Sequence, residues 1–131
     1  MAERPLVAIV DDDKSIRNAT SDLLKAAGFT PAAFEDAESF LGWPTRAGVA
    51  CLVADMRMPG MSGLELYEAL VAAGHAIPTV IITAHPEELT QSRARSLGIC
   101  CYLSKPFGPD ELLECVGEAL ARSRGGSIPK S

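Results

Sequence analysis

The chain lacks a long apolar run at its amino terminus. "MAERPLVAIVDDD" offers five apolar residues, Leu6 to Val10, before acids interrupt, so neither a secretory leader nor a membrane span is expected there. It also lacks a cationic excess. Its 12 Lys and Arg face 17 Asp and Glu, a formal charge of −5, and a surface of that sign disfavours direct contact with nucleic-acid phosphates. No CxxC pair occurs among the four cysteines, Cys51, Cys100, Cys101 and Cys115. Adjacent cysteines rarely close a staple, and a chain of this length with a good core needs none. They read as reduced thiols of a cytoplasmic protein, small buried hydrophobes rather than metal ligands. No glycine-rich or hydroxyl-rich loop follows the first apolar run. Three acids stand there instead, and they would repel the phosphate of a nucleotide or flavin. Internal repeats and low-complexity segments are absent too.

What is present is a globular composition, 47% apolar over 131 residues, which suits one domain with a real core. Apolar runs alternate with helical periods. "LVAIV" (6–10) reads as a buried strand. After it Ile16, Thr20, Leu23, Leu24 and Ala27 fall at helical spacing, and Gly28 ends that helix. "TPAAF" (30–34) is a weaker strand, at an edge because of Pro31. Asp36 caps a short helix through Leu41, stopped by Gly42 and Pro44. "ACLVA" (50–54) is a third strand. Ser62-Gly63-Leu64-Glu65 is a capping box opening a helix to about Ala73. "PTVIIT" (78–83) is a continuous buried strand. Pro86, Glu87 and Glu88 suit the first turn of a fourth helix, 87–97, which has only Leu89, Ala94 and Leu97 to bury. "CCYL" (100–103) is a fifth strand, and Pro109, Asp110 and Glu111 start a last helix. Residues 123–131, "SRGGSIPKS", read as a flexible tail or linker stub. Apolar strands alternating with amphipathic helices predict an α/β fold, a parallel sheet covered on both faces.

In such doubly wound sheets ligands bind beyond the carboxyl ends of the strands. The first strand ends in Asp11-Asp12-Asp13, the third in Asp55, the fourth in Thr83-Ala84, and Lys105-Pro106 follows the fifth. All are expected on one edge. Carboxylates gathered there repel one another unless a hard divalent cation joins them, and Mg²⁺ is commonly held by one or two carboxylates plus a phosphate. An acceptor carboxylate, a hydroxyl, a lysine and a metal suit phosphoryl transfer. Asp13, just before a helix, reads as its N-cap rather than a ligand. Met56, Met58 and Met61 read as packing for an awkward loop. His75 reads as a loop residue, and Trp43 is expected at the amino-terminal edge of the sheet.

The segments "VDDD" (10–13), "VADMRMPGMSGLEL" (53–66), "VIITAH" (80–85) and "YLSKPF" (102–107) resemble the receiver domain of two-component response regulators, and their wording is similar to the nitrogen-fixation and nodulation branch. The resemblance runs from about Leu6 to Leu120. It implies a flavodoxin-like, five-stranded sheet of order 2-1-3-4-5 with five helices, spanning 1–122. It implies that Asp55 accepts a phosphoryl group from a sensor histidine kinase or histidine phosphotransfer protein. Asp11 and Asp12 would hold Mg²⁺ or Mn²⁺ together with Asp55, Asp12 more directly, and the Arg57 backbone carbonyl would be a further ligand. Thr83 and Lys105 would bind phosphoryl oxygens, and Tyr102, taken to lie opposite Thr83, would turn inward. Arg57 and His85 would flank the phosphate and tune its hydrolysis. The bond before Pro106 would be cis. The face of the fourth helix, fifth strand and fifth helix would then change shape, with self-association an available response. Such a domain is a signalling module rather than a turnover enzyme, although it promotes its own phosphorylation and dephosphorylation.

One rival reading remains. Asp11-Asp12-Asp13-Lys14-Ser15 loosely resembles the DxDx[TV] motif of haloacid-dehalogenase-type phosphatases, with Asp11 as nucleophile. That fold needs a flap inserted after the first strand.

Overall fold

A computed structural model describes residues 4–43, 48–84 and 87–125. Five strands alternate with five helices in the chain order β1 (Leu6–Val10), α1 (Lys14–Ala26), β2 (Thr30–Phe34), α2 (Ala37–Leu41), β3 (Cys51–Asp55), α3 (Gly63–Ala72), β4 (Thr79–Thr83), α4 (Glu88–Leu97), β5 (Cys101–Ser104) and α5 (Pro109–Gly125). All strand pairs are parallel and the sheet order is β2-β1-β3-β4-β5. β2 is an edge, where Pro31 leaves no inner ladder short of a donor.

Side-chain alternation sorts the strands onto two cores. Ala8, Val10, Leu52, Ala54 and Ile81 meet Phe40 of α2, Leu66 and Leu70 of α3 and Ala94 of α4. Their neighbours Val7, Ile9, Val53, Val80 and Ile82 meet Leu24 of α1 and Leu112 and Val116 of α5. Because both faces are covered, β3 and β4 are buried along their whole length, which is why they read as unbroken apolar runs. Burying one Leu or Ile side chain in such a layer contributes about 1.5–3 kcal/mol.

The helix ends follow local chemistry. The Asp13 carboxylate accepts from the Ser15 and Ile16 N–H groups and caps α1. Asp36 caps α2 through Ser39 N–H. Ser62 and Glu65 form a complete capping box on α3. Gly98, at φ +104°, gives α4 its left-handed stop.

Four expectations change. Ala94 of α4 is buried, but Leu97, the last residue of that helix, is exposed. α5 continues through Gly125, three residues into the stretch read as tail, with Arg122 hydrogen-bonded to the Gly98 carbonyl at 3.1 Å. Trp43 packs at 5.1 Å on the ring of Phe34, the last residue of β2, and not at the amino-terminal edge. The one-and-a-half turns of α2 are too short to carry the chain back across the sheet. β5 starts at Cys101, because Cys100 is still in the approach and donates its N–H to Thr79 O. Pro44, Pro86 and residues 126–131 lie outside the described residues.

Candidate functional site

The carboxyl edge of β1 and β3 is where the chain must diverge to opposite sides of the sheet, and the acids sit there. Asp11 follows β1, is buried, and donates its backbone N–H to Phe34 O at 3.1 Å. Its Oδ1 accepts from Asp13 N–H at 2.9 Å, so the carboxylate is held by its own loop. Asp12 is exposed beside it. Asp55 is the last residue of β3 and only 6% exposed. One carboxylate oxygen from each of Asp11, Asp12 and Asp55 falls within a 4.8 Å group.

Lys105 reaches in from the other side. It follows β5, and its backbone N–H donates to Thr83 O at 2.7 Å. The Lys105–Pro106 peptide bond is cis. From this loop the ammonium stands 3.4 Å from Asp11 Oδ2 and 3.4 Å from Asp55 Oδ1. Burial, then the neighbouring Asp11 carboxylate, hold Asp55 above the usual carboxylate range, against the pull of Lys105 and of the Arg57 backbone N–H. One lysine therefore does not compensate the group fully. The donor set is all oxygen and carries excess negative charge, which fits a hard divalent cation such as Mg²⁺.

Thr83 ends β4, 1% exposed. Its register partner is Ser104; Tyr102 pairs with Ile81. Tyr102 is thus two residues down the strand from the position opposite Thr83, though residues two apart share a face of the sheet. The half-buried Tyr102 ring packs against the α2–α3–α4 core. Its hydroxyl has a hydrogen bond with the Glu87 backbone, and desolvation raises its pKa. Arg57 is exposed and lines a cavity of about 300 Å³ with Tyr102, Glu87 and Thr90, so the residue flanking Asp55 also borders the ring. His85 lies outside the described residues. Met56, Met58 and Met61 pack against the core as loop filler.

Two residues were not singled out by sequence. Arg17 of α1 donates from Nη1 to the Asp11 carbonyl at 2.7 Å. A cation in the first turn of a helix opposes the helix dipole, and that local misfit is the signal that could have pointed to it. Gly63 is the other. A Cβ there would lie 2.5 Å from the Asp55 carbonyl oxygen and 3.1 Å from Ile81 Cδ1. Only glycine lets the start of α3 close on the backbone of Asp55.

The phosphatase alternative finds no support. α1 begins at Lys14, four residues after β1 ends, with Asp13 as its cap. No inserted flap separates them.

Comparison with known proteins agrees with this geometry. The chain is 32% identical over 123 residues to the transcriptional regulatory protein FixJ of Bradyrhizobium diazoefficiens, covering 94% of this chain and 60% of FixJ. It is 36% identical over 121 residues to nodulation protein W of the same organism, covering 92% of this chain and 53% of that one. The solved structure of the response regulator StyR superposes with a TM-score of 0.87 at 41% identity, covering 95% of this chain and 63% of StyR. The chain thus spans about half to three-fifths of the length of these relatives. Residues 7–117 match the response regulator receiver domain, and the chain belongs to that family of two-component signalling domains.

Proposed function

We propose that Asp55 is the phosphoacceptor of this receiver and that the donor is the phosphohistidine of a sensor kinase or histidine phosphotransfer protein. The observation that carries the reading is the buried Asp55 carboxylate at the tip of β3, 3.4 Å from Lys105 Nζ and grouped with Asp11 and Asp12. In the transfer an Asp55 carboxylate oxygen forms the new O–P bond as the N–P bond of phosphohistidine breaks, and the imidazole leaves with the electron pair. Asp11, Asp12, Asp55 and the Arg57 carbonyl would hold Mg²⁺ (or Mn²⁺), which when bound neutralises charge on the phosphoryl oxygens. Lys105 pairs with one phosphoryl oxygen and the Thr83 hydroxyl donates to another. An apolar groove of about 660 Å³, lined by Ile16, Ala19, Leu23 and Phe107 among others, reaches Lys105 and offers the donor a surface beside the site.

The drawing of Thr83 toward the phosphoryl group frees space for Tyr102 and shifts the population of the α4–β5–α5 face. α4 suits that part, since Ala94 is its single buried residue among those described. Arg57 flanks the phosphate and sets its rate of hydrolysis, a tuning role that the family resemblance gives to His85 as well. The face then engages a partner, an output domain or a second copy. A cytoplasmic setting accords with four free cysteines; no helix among the described residues is long and apolar enough to cross a membrane.

Mg²⁺-dependent labelling by a small phosphodonor tests the assignment. One phosphoryl group per chain is expected, lost in Asp55→Asn. Undiminished label in that variant refutes it.

A further inference from the structure

The start of β5, at the strand end opposite the acceptor crevice, carries a second cluster of ligating groups. Cys100 Sγ, Cys101 Sγ and a Glu118 carboxylate oxygen lie within 4.8 Å of one another. Cys101 Sγ donates to Glu118 Oε1 at 3.4 Å. The Cys101 and Cys115 thiols are hydrogen-bonded to each other as well. Neighbours along a strand point to opposite faces, so two consecutive cysteines would ordinarily be separated by the sheet. Here Cys100 precedes β5, and both sulfurs pack on the α1–α5 core. Cys115 and Glu118 come from α5 at a spacing of three, which puts them on one helix face. Arg122, one turn further, anchors this face to the Gly98 carbonyl at 3.1 Å.

We propose that Cys100, Cys101 and Glu118 form the core of a site for one thiophilic divalent cation of the Zn²⁺ class, with Cys115, hydrogen-bonded to Cys101 and outside that close group, recruited as the fourth ligand. Three sulfurs and a carboxylate match the ligand types and the four-coordinate preference of that ion. The ligand atoms of a tetrahedral zinc site stand about 3.5–3.8 Å apart, so Cys100, Cys101 and Glu118 need to contract by at most about 1 Å, and Cys115 has to swing in from its hydrogen bond with Cys101. A groove of about 240 Å³, bordered by Gln91 and Arg95 and by the three cysteines, lets an ion approach from solvent. Each ligating thiol gives up its proton to solvent as the metal–sulfur bond forms. Burial raises all three thiols above the usual cysteine range, which does not favour a reactive thiolate. The site is chemically separate from the all-oxygen crevice, because soft thiolates and hard carboxylates select different ions. A bound cation would clamp α5 to the start of β5, within the face proposed above for output.

The full reduced chain is titrated with Co²⁺ and then with Zn²⁺. One equivalent is expected, with a sulfur-to-cobalt charge-transfer band that Zn²⁺ abolishes. Cys100→Ser and Cys101→Ser each diminish the band and weaken Co²⁺ binding, and Glu118→Gln weakens binding about tenfold. Asp55→Asn keeps the site intact, so loss of phosphoryl acceptance and loss of this site are read separately. In the unaltered chain Zn²⁺ slows alkylation of Cys100 and Cys101 while Mg²⁺ does not, a measurement that needs no variant to fold. A missing charge-transfer band, a band and affinity left undiminished by both serine variants, or alkylation rates indifferent to Zn²⁺ would overturn the proposal.

Discussion

Lys105 Nζ stands 3.4 Å from Asp55 Oδ1, although the two residues lie on different strand ends fifty positions apart. The lysine side chain is 16% exposed and its ammonium also contacts Asp11 at 3.4 Å, so it holds together two carboxylates that would otherwise repel. This ion pair organises the crevice before any phosphoryl group arrives.

Replacing Lys105 by Met leaves Asp11 and Asp55 without their shared cation. A fully buried pair loses about 3–5 kcal/mol when one partner is removed; partial exposure of the lysine reduces the loss here to about 1–2 kcal/mol. Urea denaturation without divalent cations should register that loss, and millimolar Mg²⁺ should recover part of it.

The raised pKa of Asp55 has a sign that can be measured. Burial and Asp11 make the folded state favour the protonated acid. That contribution is fully present below the unfolded value, near 3.9, and is lost as pH rises through the higher folded value. At neutral pH, without a divalent cation, ionised Asp55 therefore weakens the fold. Asp55→Asn should raise the melting temperature at pH 7 by about 2–5 °C. The gain should shrink as pH is lowered toward 4, and Mg²⁺ should stabilise the unaltered chain more than the variant. An Asn variant melting below the unaltered chain at pH 7 would contradict this.

Gly63→Ala forces a methyl group to 2.5 Å from the Asp55 carbonyl oxygen. The obstacle is backbone, so α3 must move outward. Overpacking of this kind costs about 1–3 kcal/mol. Denaturant unfolding should show that loss, and labelling of Asp55 should slow because β3 no longer aims its last residue into the crevice. Gly117→Ala is the control, as nothing lies within 4 Å of a Cβ there.

Tyr102 links the crevice to α4 through the cavity it shares with Arg57 and through the Glu87 backbone. With a phosphoryl mimic bound, amide shifts should appear across residues 84–105. Tyr102→Phe should leave phosphoryl uptake within about twofold while diminishing the shifts in α4 and β5. Unchanged amide spectra in the unaltered chain would remove the basis for this switch.

Much of the fold could be read from local chemistry. β3 and β4 announce themselves as apolar runs because both of their faces are covered. Asp13, Asp36 and Ser62 mark helix starts because a side-chain oxygen three residues from a free N–H has a predictable partner. The acids and Lys105 could be assigned to one edge, since a parallel sheet brings every strand end to the same side. The partner of Arg17, the closeness of Gly63 to Asp55 and the thiol cluster could not be read this way, although the place of Arg17 in a first helical turn is a local signal. Each depends on which atoms of distant segments come within a few ångströms.

Sequence alone determined the alternation of elements, the parallel sheet and the candidates at its carboxyl edge, because these follow from periodicity, capping and chain direction. Tertiary structure decided the rest. The register of β4 on β5 set Tyr102 beside Ile81 and Ser104 beside Thr83. The approach of α3 made Gly63 a steric requirement. The start of β5 at Cys101 brought two consecutive sulfurs to one face, over Cys115 and Glu118 of α5. Register, close approach and strand boundaries are settled by packing between elements, and packing is a property of the folded whole.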